Sequence, residues 1–185
     1  HREGAERWSR ECALLASCGQ ERRPERVTLP LTGQRWSVEL LPGRRPSVTD
    51  RGDGVLRVHT PAGTDRQVSQ ALLRWLARSA QAELEARLRR TSGEIGIGFA
   101  RMILRRQRTR WGSCSAAGTI SLNVCLMFQR PEVVRYLMVH ELCHRPHMNH
   151  SKRFWALVAE HEPGWKPLDV ELLQGWRNVP AWVFP

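Results

Sequence analysis

Residues 140–144 read His140-Glu141-Leu142-Cys143-His144, an H-E-x-x-H motif that His150 follows six residues later. On a helix, side chains four residues apart lie on one face, so His140 and His144 can point their imidazoles at one metal ion. Glu141 is then placed to reach a water that the metal holds. His150 offers a third imidazole and leaves a fourth position open, as catalytic zinc sites do and structural ones do not.

The third ligand has to arrive from outside the helix, because the next helical turn would carry it away from the metal. Arg145 precedes Pro146, and a residue before proline disfavours helical geometry, so the helix is expected to stop there. The chain can then turn and return His150. His147, three residues before His150, is an alternative third ligand, and a carboxylate distant in sequence is another.

The donor set favours zinc. Zn²⁺ binds neutral imidazole nitrogen at roughly 2.0–2.1 Å in tetrahedral geometry. It lowers the pKa of a bound water from about 15.7 towards about 7 and polarises a scissile carbonyl. Glu141 can accept the proton of that water and pass it to a leaving amine. These residues therefore predict a hydrolase that holds one Zn²⁺ ion and cleaves peptide bonds.

Length and composition predict one globular domain. The chain has 185 residues, of which 41% are apolar and 25% charged, as is ordinary for such a domain. It has no apolar run near the roughly 20 residues that cross a bilayer, so no membrane partner is expected. Five cysteines without a C-x-x-C pair favour a reducing compartment, the cytoplasm. We expect a polar N-terminal extension over 1–25 and a single metallopeptidase domain over 26–185.

The net charge of +11 favours an anionic partner. Arginine supplies nearly all of it, since Lys152 and Lys166 are the only lysines. Most arginines are scattered along the chain, but one group is dense: Arg101, Arg105, Arg106, Arg108 and Arg110. This arginine cluster makes nucleic acid or a nucleotide a candidate partner, while the scattered remainder is equally well explained by composition alone.

Hydrophobic periodicity predicts the elements ahead of the motif. Alternating and β-rich runs between residues 26 and 60 fit two or three antiparallel strands. Thr64-Asp65-Arg66-Gln67 resembles a capping box, and leucines at helical spacing predict a long amphipathic helix over about 65–91. Gly93 is expected to end that helix. We therefore expect a long helix packed on a small sheet.

The period then changes to two, which predicts a meander or hairpin just before the metal helix. Its strands are expected over 97–104, 108–113 and 119–124, with Ser115 to Gly118 as the last turn. Pro131 suits the first turn of the metal helix.

Two further helices are expected after the motif. Ser151 can cap the first of them, and a short helical stretch is expected around 168–176. The predicted class is α+β, with a small antiparallel or mixed sheet packed against a long helix and the HExxH helix.

Three segments of this sequence resemble one known family. They are Thr109-Arg110-Trp111-Gly112-Ser113-Cys114-Ser115 with Gly118, Ile120, Leu122 and Asn123 after it; Tyr136 with the HExxH motif; and Asn149-His150-Ser151 with Phe154-Trp155. In order and spacing they are similar to the YgjP-like metallopeptidase family, which is related to the SprT-like domains and to zincins. The likeness covers roughly residues 26–178, most closely from 108 to 165.

The resemblance implies a zincin-like α+β fold, one zinc ion, Glu141 as catalytic base and His150 as third ligand. In zincins the strand before the metal helix often lies along the cleft and pairs with an extended substrate. Here that strand would be Thr119 to Asn123. Arg110 and Trp111 either brace the cleft or bind an anionic group, or Trp111 simply packs under the helix with Arg110 stacked on it.

Two departures from the family's common form affect the chemistry. Arg145-Pro146 replaces the usual apolar residue after the second histidine, and no tyrosine follows His150. A downstream tyrosine is therefore not there to stabilise an oxyanion. Arg110, Asn123 or His161 would have to take that role, or zinc alone.

Two alternatives stand beside the peptidase. The same metal and water can attack phosphorus, which makes a nucleotide phosphoanhydride hydrolase conceivable, with the arginine cluster holding phosphates. A nucleic-acid-associated module with a structural zinc is the other. Three histidines beside a glutamate argue against a structural site, which fills all four positions. SprT-like relatives act on DNA-bound proteins, so protease and nucleic-acid interpretations are compatible.

Overall fold

Two small sheets and four α-helices make up most of the described chain in this computed structural model, which describes residues 23–184. The predicted extension over 1–25 therefore falls almost entirely outside the described residues. Between residues 23 and 184, none of the helices combines the length and the apolar character that crossing a bilayer requires.

The first sheet contains β1 (Arg26–Leu29), β2 (Gln34–Pro42), β3 (Ser47–Asp50) and β4 (Val55–Thr60), in the order β1-β2-β4-β3. β4 runs antiparallel to β3 but parallel to β2. The prediction of two or three antiparallel strands is therefore wrong in number and in direction. Gly52 and Gly54, with φ of 76° and 77°, form a tight turn that returns the chain and inserts β4 between β2 and β3.

Helix α1 (Asp65–Ile95) is the long helix that the leucine spacing predicts. The Thr64 hydroxyl accepts a hydrogen bond from the Gln67 amide, as the capping box predicts. The predicted end at Gly93 is wrong, because the helix continues to Ile95. Gly96 ends it instead with φ of 70°, a left-handed conformation that glycine adopts without strain.

The second sheet has β5 (Arg101–Arg105), β6 (Gly112–Cys114) and β7 (Thr119–Asn123), in the order β5-β7-β6. β7 is parallel to β5 and antiparallel to β6. The predicted turn is confirmed, since the Gly118 amide donates to the Ser115 carbonyl at 2.9 Å. Of the two predicted arrangements, the hairpin is found, because β6 and β7 pair antiparallel across this turn, whereas the meander is not, because β5 pairs parallel with β7. The strand expected over 108–113 begins only at Gly112.

Three helices complete the fold: α2 (Pro131–Cys143), α3 (Lys152–His161) and α4 (Trp165–Gln174). A 3-10 helix, Val124–Phe128, connects β7 to α2, and two more, Gly175–Asn178 and Ala181–Val183, follow α4. Pro131 occupies the first turn of α2, as predicted.

Helix α2 holds the centre of the fold and carries the HExxH motif. It packs against α1, α3, α4 and β6. Nine of its thirteen residues are buried, so burial on most sides fixes its position. The predicted α+β class is therefore confirmed, with small mixed sheets, a long helix and a separate helix for the motif.

Candidate metal centre

Three imidazoles converge at the end of α2. His140 lies in its last turn, His144 caps it, and His150 comes from the loop that follows. The candidate ligand atoms of these three rings all lie within 4.8 Å of one another. Nε2 of His140 lies 3.1 Å from Nε2 of His150. Three neutral nitrogen donors at this spacing suit a single divalent cation such as zinc.

Local backbone structure returns His150 to the helix. The Arg145 amide donates to the Leu142 carbonyl at 2.9 Å, and the His147 amide to the Cys143 carbonyl at 3.3 Å, so the chain turns tightly before Pro146 and after it. Helix α3 then begins directly after Ser151. The predicted cap is confirmed, because the Ser151 hydroxyl accepts from an amide in the first turn of α3.

Phe154 forms the floor of the site. Its ring is fully buried, with its centroid 4.5 Å from His144, 4.8 Å from His150 and 4.9 Å from His140. One aromatic side chain on α3 therefore touches all three imidazoles. Because an interior is close-packed, this contact restricts how each ring can tilt.

The second nitrogen of two rings is hydrogen-bonded, which determines which nitrogen faces the cluster. Nδ1 of His144 lies 3.0 Å from the His147 carbonyl, so it carries the proton and leaves Nε2 as the donor to a metal. Nδ1 of His140 lies 3.4 Å from the Tyr136 hydroxyl. His147 thus contributes its backbone carbonyl to the site, whereas the ring cluster consists of the other three histidines.

Burial keeps the ligand rings neutral. It lowers the pKa of His140 to about 3, with the charges of His144 and His150 acting in the same direction. Burial also lowers the pKa values of His144 and His150 themselves. Neutral imidazole is the form that binds a metal, so these residues fit one without first losing protons.

Glu141 places a carboxyl group in an apolar environment. Only 5% of this residue is exposed, and burial raises its pKa to about 8, while the charge of Arg110 opposes the rise. A buried carboxylate without an adjacent cation is costly. A divalent ion beside it would lower that cost, so Glu141 also fits a metal.

Gly112 lies directly against the Glu141 carboxyl group. A Cβ atom added at Gly112 would stand 2.7 Å from Oε1 of Glu141 and 3.0 Å from its Cγ. The next residue back, Trp111, is buried and stacks on Trp176 at 3.9 Å between ring centroids. The absence of a side chain at 112 therefore lets β6 approach the motif helix.

The two predicted substrate contacts differ in availability. Arg110 is exposed, and its charge reaches Glu141. Asn123 is 2% exposed, and its amide donates to the carbonyls of Gln107 and Arg110, both at 2.7 Å. Its Oδ1 accepts from the Cys125 amide. Each polar side-chain atom of Asn123 thus has a backbone partner, whereas Arg110 is exposed to solvent.

His161 and the arginine cluster lie outside the histidine cluster. His161 is the last residue of α3, and its carbonyl accepts from Arg135. Arg106 donates to the Val183 carbonyl at 3.2 Å, and Arg108 donates to that of Phe184 at 3.5 Å. Arg106 and Arg108 therefore link the C-terminal segment to the loop that follows β5.

Sequence reasoning missed Asp169. The Tyr136 hydroxyl donates to Oδ1 of Asp169 at 2.7 Å, and burial together with this bond raises the pKa of Tyr136. Tyr136 precedes His140 by four residues and so shares its helix face, which is a detectable signal. Asp169 lies on α4, and nothing in the local sequence points to it.

The model of the YgjP-like metallopeptidase domain matches residues 13–174 of the chain. The chain belongs to the YgjP-like metallopeptidase family. The match begins at residue 13, ahead of residue 26, where the likeness carried by the motifs starts. Membership in this family implies a hydrolase that uses a divalent metal, and His140, His144 and His150 could hold such an ion.

One solved structure of a metallopeptidase is also similar to this YgjP-like chain. It is the crystal structure of the metallopeptidase zymogen abylysin of Pyrococcus abyssi, with 24% sequence identity and a TM-score of 0.45. The similar region covers 49% of this chain and 92% of that one. No curated protein matches the sequence.

Proposed function

We propose that this protein is a zinc metallopeptidase in which His140, His144 and His150 hold one Zn²⁺ ion and Glu141 is the general base. The observation that supports this most strongly is the convergence of three neutral imidazoles within 4.8 Å, next to a buried carboxyl group on the same helix. Once bound, the metal would supply Lewis acidity, polarising a peptide carbonyl and acidifying a water.

Glu141 provides the proton transfers. Glu141 follows His140 directly in the sequence and is buried on the helix that carries it. A carboxylate at that position can accept a proton from the attacking water and deliver it to the leaving amine. Gly112 lies against the carboxyl group and limits its movement from one side.

The strand expected to bind substrate cannot do so. β7 (Thr119–Asn123) is paired on both sides, with β5 and with β6, so its backbone groups are already used. β6 (Gly112–Cys114) is an edge strand of the same sheet and lies beside Glu141. We therefore assign to β6 the role that the resemblance implies for β7.

The pairing pattern specifies which groups of β6 are available. The Trp111 carbonyl accepts from the Asn123 amide, and the Ser115 amide donates to the Thr119 carbonyl. In an antiparallel pair, alternate residues point their N–H and C=O groups at the partner strand. Gly112 therefore points its backbone groups away from β7, as does Cys114 two residues later. An extended peptide can add to this edge, which gives affinity with little dependence on side chains.

Arg110 is the charged residue closest in sequence to this edge. Its exposed guanidinium acts on Glu141 through space and is carried by the loop that Asn123 holds. We assign it to an anionic group of the substrate or to the oxyanion that forms at the scissile carbonyl. Asn123 supports this role indirectly, by fixing the position of the loop.

The test is incubation of zinc-loaded protein with parallel panels of peptides and nucleoside triphosphates. Peptide cleavage is expected, with loss of activity in Glu141→Gln and after removal of the metal by a chelator. Glu141→Gln should still bind zinc, because it retains all three imidazoles. Glu160→Gln, at an exposed glutamate on α3, serves as the matched control and should be fully active.

Two results would contradict the proposal. Full peptidase activity in Glu141→Gln would show that another group is the base. Hydrolysis of triphosphates without peptide cleavage would replace the peptidase by a phosphoanhydride hydrolase. The structure favours the peptide, because Arg106 and Arg108 already bind the C-terminal carbonyls.

A further inference from the structure

Asp169 reaches the metal centre from a helix that carries none of the ligands. It lies on α4, and its Oδ1 accepts a hydrogen bond from the buried Tyr136 hydroxyl at 2.7 Å. The same hydroxyl lies 3.4 Å from Nδ1 of His140. The charge of Asp169 also acts on the ring of His150. Asp169 is therefore linked to His140 through the Tyr136 hydroxyl, and its charge acts on His150 through space.

The order of donors along this chain of contacts follows from chemistry. An ionised carboxylate only accepts hydrogen bonds, so the Tyr136 hydroxyl has to direct its proton at Asp169. The phenolic oxygen then presents a lone pair to His140, which favours the proton on Nδ1. Nε2 of His140 is left as an acceptor, and it is the atom that lies 3.1 Å from Nε2 of His150. The bond at Asp169 thus sets the tautomer at the cluster.

Helix α4 is well placed to hold this carboxylate still. Trp165, in its first turn, stacks on Trp155 at 4.3 Å between ring centroids, and Trp155 stacks in turn on His150 at 5.5 Å. On the outer side, Glu171 accepts two hydrogen bonds from Arg130, at 2.6 Å and 2.7 Å. The helix is therefore attached on both sides of Asp169.

We propose that Asp169 is a positioning residue of the metal centre, which acts through the Tyr136 hydroxyl to hold His140 with Nε2 facing the ion. This inference rests on the proposed function, since it requires that the three histidines bind a metal. Partners of this kind, which orient a ligand without touching the ion, typically change metal affinity by about 10- to 100-fold when they are replaced.

The test compares metal affinity of the full chain with that of Asp169→Asn and Tyr136→Phe. Asparagine is nearly the same size, but it can donate as well as accept, so it no longer fixes the direction of the Tyr136 proton. Zn²⁺ affinity is measured by competition with a chromogenic chelator, and the visible spectrum of the Co²⁺ form reports the ligand geometry. We expect about a 10-fold or larger loss of affinity in each variant, with an altered Co²⁺ spectrum.

The double variant and a control on the same helix make the result decisive. Tyr136→Phe combined with Asp169→Asn should lose little more than either alone, because the two residues act through one connection. Val170→Ala changes an exposed residue next to Asp169 on α4 and should bind metal like the parent. An equal loss in Val170→Ala would assign the effect to disturbance of α4 and overturn the proposal.

Other outcomes are equally informative. Circular dichroism and thermal melting establish that each variant is folded before its affinity is compared. Asp169→Asn within two-fold of the parent, with an unchanged Co²⁺ spectrum, overturns the positioning role and leaves the peptidase proposal intact. A parent protein that binds no metal would instead overturn the proposed function itself.

Discussion

Replacing Gly112 by alanine should displace the carboxyl group of Glu141, the proposed base, and leave the three clustered histidines in place. The added Cβ would stand 2.7 Å from Oε1, 3.0 Å from Cγ and 3.1 Å from Cδ of Glu141. Ordinary contacts between such atoms begin near 3.5 Å, so Glu141 has to move by roughly 0.5–1 Å. A misplacement of about 1 Å can cost on the order of 100-fold in rate.

The expected result for Gly112→Ala is a fall in kcat of about 10- to 100-fold, with Zn²⁺ affinity within two-fold of the parent. The free energy of unfolding should fall by about 1–3 kcal/mol, as overpacking usually causes. The assay is peptide hydrolysis at saturating substrate, alongside chelator competition for zinc and urea denaturation. Because alanine retains the backbone N–H and C=O of residue 112, pairing of substrate with β6 should survive and KM should change little.

Gly98→Ala is the matched control, since a Cβ at Gly98 meets no atom within 4 Å. It should have the kcat of the parent. If Gly112→Ala also kept the kcat of the parent while folded, then the position of Glu141 would not limit the reaction, and its assignment as the base would be refuted. A rise in KM alone would instead indicate that residue 112 acts on substrate binding.

Two further changes test how the site is supported. Asn123→Ala leaves two backbone carbonyls and one amide without partners. It should lower the free energy of unfolding by about 2–4 kcal/mol, measured by urea denaturation. A loss below about 1 kcal/mol would show that the 107–110 loop does not depend on Asn123. Ser151→Ala removes the cap of α3 next to His150 and should cost about 1 kcal/mol together with a measurable loss of zinc affinity. Ser79→Ala, on α1 far in sequence from the metal helix, is its control, and equal zinc affinities in both variants would contradict a role for the cap.

The metal site could be predicted because its geometry is mostly local. Spacing of four residues on a helix brings His140 and His144 together whatever the rest of the chain does. Capping signals at Thr64 and Ser151 are equally local, and both are confirmed. His150 reaches the other two histidines only because the chain turns after Pro146. The sequence indicates this turn, but it leaves His147 as an alternative third ligand. In the structure the candidate ligand atoms of His140, His144 and His150 converge, and the His147 carbonyl lies 3.0 Å from Nδ1 of His144, which favours His150 as the third ligand.

Contacts between distant segments could not be predicted in the same way. The bond between Tyr136 and Asp169 joins residues 33 positions apart, and the contact of Gly112 with Glu141 joins two separate elements. Neither leaves a periodic pattern, because each depends on how α4 and β6 dock against α2. The error at Gly93 has a different origin. Glycine favours a helix end chiefly because it can take a left-handed conformation, which Gly96 does and Gly93 does not.

The order of the second sheet decides which strand can meet a substrate. Strand β7 is the last strand before the metal helix, which is why it is the natural expectation for the cleft, yet pairing with β5 on one side and β6 on the other places it in the middle. Asn123, at its end, then donates both N–H groups of its side-chain amide to the loop that carries Arg110 and leads into β6. Asn123, which the sequence predicts as a substrate contact, therefore positions the two features that we assign to substrate binding, β6 and Arg110. It follows that loss of Asn123 should impair binding as well as stability, because the free edge of β6 and the guanidinium of Arg110 depend on the same loop.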